Sequence, residues 1–400
     1  MSPELKFILA ATVWPAATAD FERVRRLAKA VTDEDLFFEI LRRHRITPLV
    51  FHNVVMAGAV LPGAILPRLK RRALLAADKN RRQITELIRL SQIFTARGVR
   101  SIVLKGAPLA VELYGSPFLR ENNDIDFLIE PSRIAEAEAI LFQDGYKRVD
   151  PTGPLAAHEE RVYRHYFYHA LYHHSASGMV VELHWRLVME ARLLPCDVAE
   201  LLARAKPVEV SGVKIDTLPQ PEALLFLCAH GAGHAWWRIK WLLDVERSLD
   251  LQSRSSIEEA AAFARQNGLA PCFDSSRHLA GELSRDLIGS EGPNQSPSPG
   301  WRGAVSKRIV RRLLLAPSLE GRFLPEGPTY LATLLYEFVL LGSRRSLIHG
   351  FIRLWLYPAD WRMARLPKPL FPLHVLIRPV SWLARNVSRF LGSPLGHKPK

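Results

Sequence analysis

The sequence predicts an α+β protein in which a small mixed β-sheet lies between helical N-terminal and C-terminal regions. Three observations support this prediction. Apolar residues recur every three or four positions before residue 97, two short β-branched runs at 101–104 and 125–129 alternate with helical patterns, and a second helical pattern follows Pro221. Because 400 residues exceed the size of one ordinary domain, we expect several.

We expect five segments along the chain. Residues 1–97 form a helical N-terminal region, 98–190 an α/β core, and 191–290 a helical domain that completes a cleft. The stretch at 291–300 has the proline, serine and glycine content of a linker. Residues 301–400 form a basic segment rich in tryptophan and proline.

The core begins where Gly98 ends the helical pattern of the N-terminal region. Residues 101–104 are typical of a buried strand, 107–113 of a helix and 125–129 of a second strand. A further helix is predicted over 132–143. Strands and helices therefore alternate, as they do in proteins with mixed sheets.

A β-hairpin is predicted at 169–185, around a turn at 175–178. Several histidines occur between 158 and 174, but tyrosines and phenylalanine interleave with them. Strand alternation explains this pattern better than a metal site does.

The net charge of +14 is concentrated at the C-terminal end of the chain. From residue 344 to 400 there are eleven lysines or arginines and one acid, Asp360. Three cysteines cannot form a disulfide framework, and no apolar run approaches the ~18 residues of a membrane span. We therefore expect a cytoplasmic protein.

The main chemical motif is Asp124-Ile125-Asp126, inside a predicted strand. Alternate residues of a strand face the same side, so the two carboxylates lie side by side. Such a pair suits a hard divalent cation such as Mg²⁺, although a solvated strand edge would also accommodate it. Glu182, in a later apolar strand, would add the third acid that two-metal phosphoryl chemistry requires.

A second motif precedes these acids. Lys105 and Gly106 end one strand and open a helix. Glycine lets a phosphate approach the backbone, the helix N-terminus offers free N–H groups, and lysine supplies a positive charge. This arrangement suits a triphosphate. No GxSxG, Walker A or GxGxxG motif occurs, which argues against hydrolase, P-loop and dinucleotide-binding proteins.

One helical face in the second helical domain combines imidazole, aromatic and acidic side chains. On a single continuous helix its members would lie within about 40° of one line: His230, His234, Trp237, Trp241 and Asp244. Interdomain packing, the lining of a substrate cleft and metal binding are the three interpretations. Lys240 would lie about 80° from this face, where it could reach phosphate or solvent.

Three segments of the chain resemble a known family. They are LKGAPLAVELYGSPFLRENNDIDFLI, GMVVELHW and HGAGHAWWRIKWLLDVERSL, within residues 35–260. Together they resemble the bacterial uncharacterised nucleotidyltransferases (the NTP-transferase 5 group) of the DNA polymerase β-like superfamily.

The resemblance implies Mg²⁺- or Mn²⁺-dependent transfer of a nucleoside monophosphate from an NTP to an acceptor hydroxyl, with release of pyrophosphate. Asp124 and Asp126 would hold two metal ions, and Glu182 would bind the ion that activates the acceptor. The nucleotide-binding residues would be Lys105, Gly106 and Arg120, and His184 would join the cleft lining. The serine usual after the glycine is replaced by Ala107. No haem, flavin or nicotinamide is implied.

The acceptor stays open between a protein, a sugar and RNA. Two other functions are also compatible with the sequence. One is a catalytically silent nucleotide-binding module, and the other is a basic adaptor that binds nucleic acid or membrane through its tail. An amphipathic stretch at 380–391, within the basic residues 344–400, would allow peripheral contact with the inner face of the membrane.

Overall fold

A computed structural model gives the fold of the chain. It describes residues 1–189, 194–282, 301–315, 355–363 and 366–390, and the single positions 336, 340, 348 and 352. The expected linker at 291–300 lies outside these residues.

Helices dominate the chain before the sheet, as the apolar spacing predicts. Their bounds are α1 (Pro3–Ala10), α2 (Thr18–Ala28), α3 (Glu34–His44), α4 (Thr47–Met56) and α5 (Ile65–Ala96). Helix α3 begins at Asp33, whose side chain accepts a hydrogen bond from the Leu36 N–H, and ends at Arg45, which is in the left-handed conformation. Arg45 thereby turns the chain directly into α4.

The described strands form one seven-stranded mixed sheet. The strands are β1 (Ser101–Val103), β2 (Ile125–Ile129), β3 (Tyr146–Asp150), β4 (His169–His174), β5 (Met179–His184), β6 (Lys206–Val210) and β7 (Val213–Thr217). Their order across the sheet is β3-β4-β5-β2-β1-β7-β6. The α+β fold class predicted from the sequence is confirmed.

Three further helices connect these strands: α6 (Ala107–Tyr114), α7 (Ile134–Gln143) and α8 (Ala157–Tyr166). A 3₁₀ turn at Pro131–Arg133 precedes α7. Strand β2 pairs with β1 in antiparallel orientation and with β5 in parallel orientation, so it lies inside the sheet.

Apolar cores cover both faces of the sheet. Successive residues of β2 point to opposite cores. Leu128 belongs to the core built with α1–α4 and the later helices. Phe127 and Ile129 belong to the core built with α5 and α7. Burial on both faces explains why the strand is almost continuously apolar. The acid of β2 shares the Leu128 face.

The helices that follow β5 along the chain are α9 (Val198–Ala203), α10 (Glu222–Gly233), α11 (Ile239–Asp250), α12 (Arg254–Gln266), α13 (Ala270–Glu282), α14 (Trp301–Leu315), α15 (Pro358–Met363) and α16 (His374–Phe390). The helix α9 precedes the hairpin β6–β7, and the others follow it.

Along α16, Leu376, Val380 and Leu383 form an exposed apolar stripe, with Leu376 71% exposed. Residue 391, at the end of the expected amphipathic stretch, is not described. Within the described residues, each helix is too short or too polar to cross a bilayer.

Two features differ from the sequence-based expectations. The hairpin β6–β7 lies within the region expected to be helical, and β3 was not predicted. The single helix expected across residues 230–244 is wrong, because α10 ends at Gly233 and α11 begins at Ile239. Ala235 and Trp236 adopt positive φ angles at this break. The Trp236 indole N–H donates a 2.8 Å hydrogen bond to the Tyr336 hydroxyl, which anchors the break in the core.

Candidate functional site

The three acids meet on two neighbouring strands. Asp126 in β2 lies directly opposite Glu182 in β5, and Asp124 precedes β2 by one residue. Asp124 and Asp126 are two residues apart and point to one face of the sheet. Asp126 is 0% exposed on an internal strand, so the strand-edge interpretation is wrong.

Lys105 and His184 supply positive charge beside these acids. The Lys105 ammonium lies 3.0 Å from Asp126 Oδ1 and 3.4 Å from Asp124 Oδ1. His184 Nε2 lies 3.1 Å from Glu182 Oε2 and 3.4 Å from Asp126 Oδ1. Neither oxygen of Asp126 has a hydrogen bond of good geometry. A buried carboxylate with unsatisfied oxygens is the environment that a bound cation would complete.

The pKa values of the three acids differ strongly. Burial, with repulsion from Asp124 and Glu182, raises the pKa of Asp126 to about 6. Burial alone would also raise the pKa of Asp124, but Lys105, Lys240 and Arg45 together hold that pKa below its usual value. For Glu182, His169, His184 and Lys105 together overcome the effect of burial and keep the pKa well below the ordinary range. The site therefore carries at least two carboxylates at neutral pH.

The donor set fits a hard divalent cation. One ligand oxygen from each of Asp124, Asp126 and Glu182 lies within 4.8 Å of the others. Carboxylate oxygens in this number, with room for substrate oxygens, are typical ligands of Mg²⁺ and Mn²⁺. His169 and His184 form a second group with Glu182 under the same distance limit.

Gly106 shapes the floor beside the acids. It precedes α6 with φ of 86°, a conformation that favours glycine, and a Cβ built there would meet no atom within 4 Å. The open space next to this backbone would let a phosphate approach. Ala107 is the first residue of α6, where the related superfamily usually has serine.

A cavity of about 270 Å³ opens over the acids. Its far wall comes from His230 in α10, Trp241 in α11, and His234 and Trp237 in the break between these helices. The His234 ring stacks on Trp241 at 4.7 Å, and His230 lies 4.9 Å from His234. These side chains thus gather beside the acids even though two helices carry them.

Arg120 and Asp244 form a buried ion pair. The guanidinium donates to both Asp244 oxygens at 2.9–3.2 Å, and its remaining terminal nitrogen donates to Asn122 Oδ1 at 2.5 Å. Asp244 outweighs the effect of burial and raises the pKa of Arg120. Arg120 therefore joins the loop before β2 to α11. It also lines the cavity over the acids, and the phosphate contact expected for it stays a prediction.

Lys240 is also buried, and its ammonium donates to the Glu121 carbonyl at 3.0 Å. Burial, with repulsion from Arg120, lowers its pKa well below the ordinary value. It lines the cavity and is not directed into solvent.

Several cavity residues were not identified from the sequence. Arg45, Tyr168, His169 and Arg238 all line it. His169 stacks on His184 with ring centroids 5.0 Å apart, and burial lowers its pKa to about 4. The sequence placed His169 at the first residue of the predicted hairpin. That it lies opposite His184 follows only from the register in which β4 pairs with β5.

The comparison with protein families agrees with this architecture. No curated protein matches the chain. The sequence profile described as uncharacterised nucleotidyltransferase matches residues 30–285, which include the whole sheet, the three acids and both helices of the far wall. This match covers well over half of the chain, which therefore belongs to the uncharacterised nucleotidyltransferase family.

Proposed function

We propose that this protein is a Mg²⁺- or Mn²⁺-dependent nucleotidyltransferase that moves a nucleoside monophosphate from an NTP to an acceptor hydroxyl. The bond from the acceptor oxygen to the α-phosphorus forms, the bond from that phosphorus to the bridging oxygen breaks, and pyrophosphate leaves. The acceptor's proton passes to a site carboxylate, for which Glu182 is the candidate. The acceptor class is a protein, a sugar or RNA.

The convergence of Asp124, Asp126 and Glu182 carries this proposal. Their oxygens lie within 4.8 Å of one another, Asp124 and Glu182 line the cavity, and the oxygens of buried Asp126 lack good hydrogen bonds. Held by these acids, the divalent ions would polarise the phosphoryl oxygens and favour loss of the acceptor proton.

The protein's own groups would do the remaining work. His184, hydrogen-bonded to Glu182, holds that carboxylate in place. Gly106 leaves space for phosphate oxygens at the start of α6, where the N–H groups of Ala107 and Leu109 have no partner within the helix. The aromatic and imidazole wall of α10 and α11 would exclude water and hold the base or the acceptor against the site.

Thermal unfolding with metal and NTP tests the proposal without knowledge of the acceptor. A ligand at ~100 times its Kd stabilises a protein by about 2.7 kcal/mol, which raises Tm by ~2 °C or more. We expect at least one NTP to stabilise the wild type with Mg²⁺ or Mn²⁺ but not Asp126→Asn. Asp216→Asn is the matched control, because Asp216 is an exposed carboxylate in β7 of the same sheet.

The two other functions give different results. A silent nucleotide-binding module would show the same stabilisation but no pyrophosphate release with any acceptor fraction. A basic adaptor would show salt-sensitive binding of RNA or anionic vesicles that survives Asp126→Asn. Equal NTP responses of the wild type and Asp126→Asn would refute the metal site.

A second, separable property is peripheral membrane contact through α16. Its exposed Leu376, Val380 and Leu383 favour this, together with the basic sequence of 344–400. We expect the full chain to sediment with vesicles containing anionic lipid, and Leu376→Ser with Val380→Ser to reduce this. Sedimentation that the double substitution leaves unchanged would exclude α16 as the contact.

A further inference from the structure

A second and larger cavity adjoins the acidic site. Its volume is about 630 Å³, within the range of ~300–1,000 Å³ that whole small-molecule sites occupy, whereas the cavity over the acids is smaller. Both cavities share Arg45, Trp237 and Arg238. A ligand could therefore extend from the acids into the larger space.

The larger cavity is strongly basic. Two acidic side chains, Glu39 and Glu121, line it. Its six basic side chains come from three separate parts of the chain: Arg42, Arg43, Arg45, Arg72, Lys79 and Arg238. We call this space the basic cavity. Its excess of positive charge indicates an anionic ligand.

Its positive charge is poorly compensated. In the part of the chain that the structure describes, no carboxylate lies at ion-pair distance from Arg45 or Arg238. Burial, with repulsion from Arg45, lowers the pKa of Arg238 to about 9 and also lowers that of Lys79. The Arg238 guanidinium lies over two rings, that of Trp237 at 4.1 Å and that of Trp241 at 5.7 Å. Bound phosphate would supply the missing negative charge.

The basic cavity lies on the Asp124 side of the acidic site. Asp124 exerts the strongest attraction on Arg45 and also acts on Lys79 and Arg238. Two other cations near the acids are already engaged: Lys105 with the acids themselves, and Arg120 with Asp244. The charge needed to hold a polyphosphate must therefore come largely from the basic cavity.

We propose that the basic cavity binds the β- and γ-phosphates of the NTP and then the pyrophosphate that leaves. This assignment rests on the proposed nucleotidyl transfer for the identity of the ligand. Arg45 and Arg238 are its central residues, because they line both cavities. Lys79, whose ammonium donates to Asn123 Oδ1 at 2.6 Å, lies at the outer part.

Calorimetric titration with inorganic pyrophosphate tests the assignment. The titration uses the full chain in EDTA at low salt, so that no metal ion can hold pyrophosphate at the acids. Loss of a charged hydrogen bond typically weakens binding by about tenfold or more. We therefore expect Arg45→Gln and Arg238→Gln each to weaken pyrophosphate binding by ~10-fold. Arg71→Gln is the matched control, because Arg71 is exposed on α5 beside Arg72 but does not line the cavity.

Unfolding curves establish that each variant is folded. Because Arg45 and Arg238 are replaced separately, each variant tests the assignment independently of the other. Pyrophosphate binding that equals the wild type in both variants, or is absent in the wild type, would overturn the assignment. Displacement of bound pyrophosphate by NTP supports the donor site. Failure of NTP to displace it would overturn the donor assignment and favour a phosphorylated acceptor.

These results are distinguishable from failure of the proposed function. Asp126→Asn should abolish the metal-dependent NTP response but retain pyrophosphate binding in EDTA, since Asp126 does not line the basic cavity. If the wild type binds pyrophosphate through Arg45 and Arg238 but never releases it from NTP, the cavity stands and the catalytic proposal fails.

Discussion

Replacement of Asp244 by asparagine tests whether the pair it forms with Arg120 is structural. The Arg120 and Asp244 side chains are 3% and 1% exposed, and three hydrogen bonds of 2.9–3.2 Å join them. Asp244→Asn keeps the volume but leaves the guanidinium buried without a countercharge. Breaking a buried pair in this way typically costs about 3–5 kcal/mol. That is a large part of the ~5–15 kcal/mol that stabilises a typical domain.

Urea unfolding followed by circular dichroism measures this loss. Glu258→Gln is the control, because Glu258 pairs with Arg254 in an exposed ion pair on α12. Its loss should change the free energy of unfolding by less than about 0.5 kcal/mol. The double variant Arg120→Met, Asp244→Leu should recover much of the lost stability, because it removes both buried charges.

The opposite pattern would refute the structural role of Arg120. If Arg120→Met has nearly wild-type stability but loses NTP binding, the guanidinium contacts phosphate, as the family resemblance implies. Simultaneous loss of stability and NTP binding, with both restored in the double variant, supports the structural role.

The remaining predictions concern the acids, their histidine neighbour and the break between α10 and α11. Without metal, native Asp126 retains its proton up to about pH 6, whereas the unfolded chain releases it near 3.8. The native state thus binds more protons between these values, so stability falls as pH rises by about 3 kcal/mol in total. The free energy of unfolding is measured against pH for the wild type and for Asp126→Asn, and the difference between the two curves should show this fall. Parallel curves would contradict the raised pKa of Asp126. For His184, its interactions with Glu182 and Asp126 together outweigh burial and raise the pKa, so its stabilisation is fully present below pH 6.5 and is lost as the pH rises above that. His184→Gln should remove this loss in the same measurement, whereas a wild-type profile in the variant would argue against the charged pair. A Cβ at Gly231 would lie 2.1 Å from Trp236 Cζ3, so Gly231→Ala should destabilise by roughly 1–3 kcal/mol in urea. Gly233→Ala, where a Cβ meets nothing within 4 Å, is its control, and equal effects of the two would exclude the clash.

Local patterns predicted the centre of the sheet because they are short and strongly constrained. The run at 125–129 became β2 without a shift of either end, since burial on both faces requires a continuous apolar segment. Asp124, Asp126 and Glu182 were visible as acids in apolar surroundings. Their convergence depends on the parallel pairing of β2 with β5, a long-range contact whose register no local pattern gives.

The break between α10 and α11 had no comparable local signal. His230 and Trp241 fit one helical face at 100° per residue, and no proline interrupts the segment. The break is imposed by packing instead, because Trp236 inserts against Gly231 and reaches Tyr336 a hundred residues later. Tertiary contacts therefore overrode a helical pattern that was correct for each half.

The basic cavity shows why counting charges along the chain does not find the cations beside the acids. Ten of the fourteen net positive charges lie in 344–400, yet the cations beside the acids come from other segments. Arg45 ends α3, Lys79 lies in α5 and Arg238 precedes α11. Each is unremarkable locally, but folding places them at the Asp124 side of the acids. The proposed site, which would hold both divalent cations and a polyphosphate, needs carboxylates and guanidiniums close together but not paired. Lys105 pairs with the acids directly, whereas Arg45 and Arg238 have no carboxylate at ion-pair distance among the described residues, and this separation is what the fold adds to the motifs.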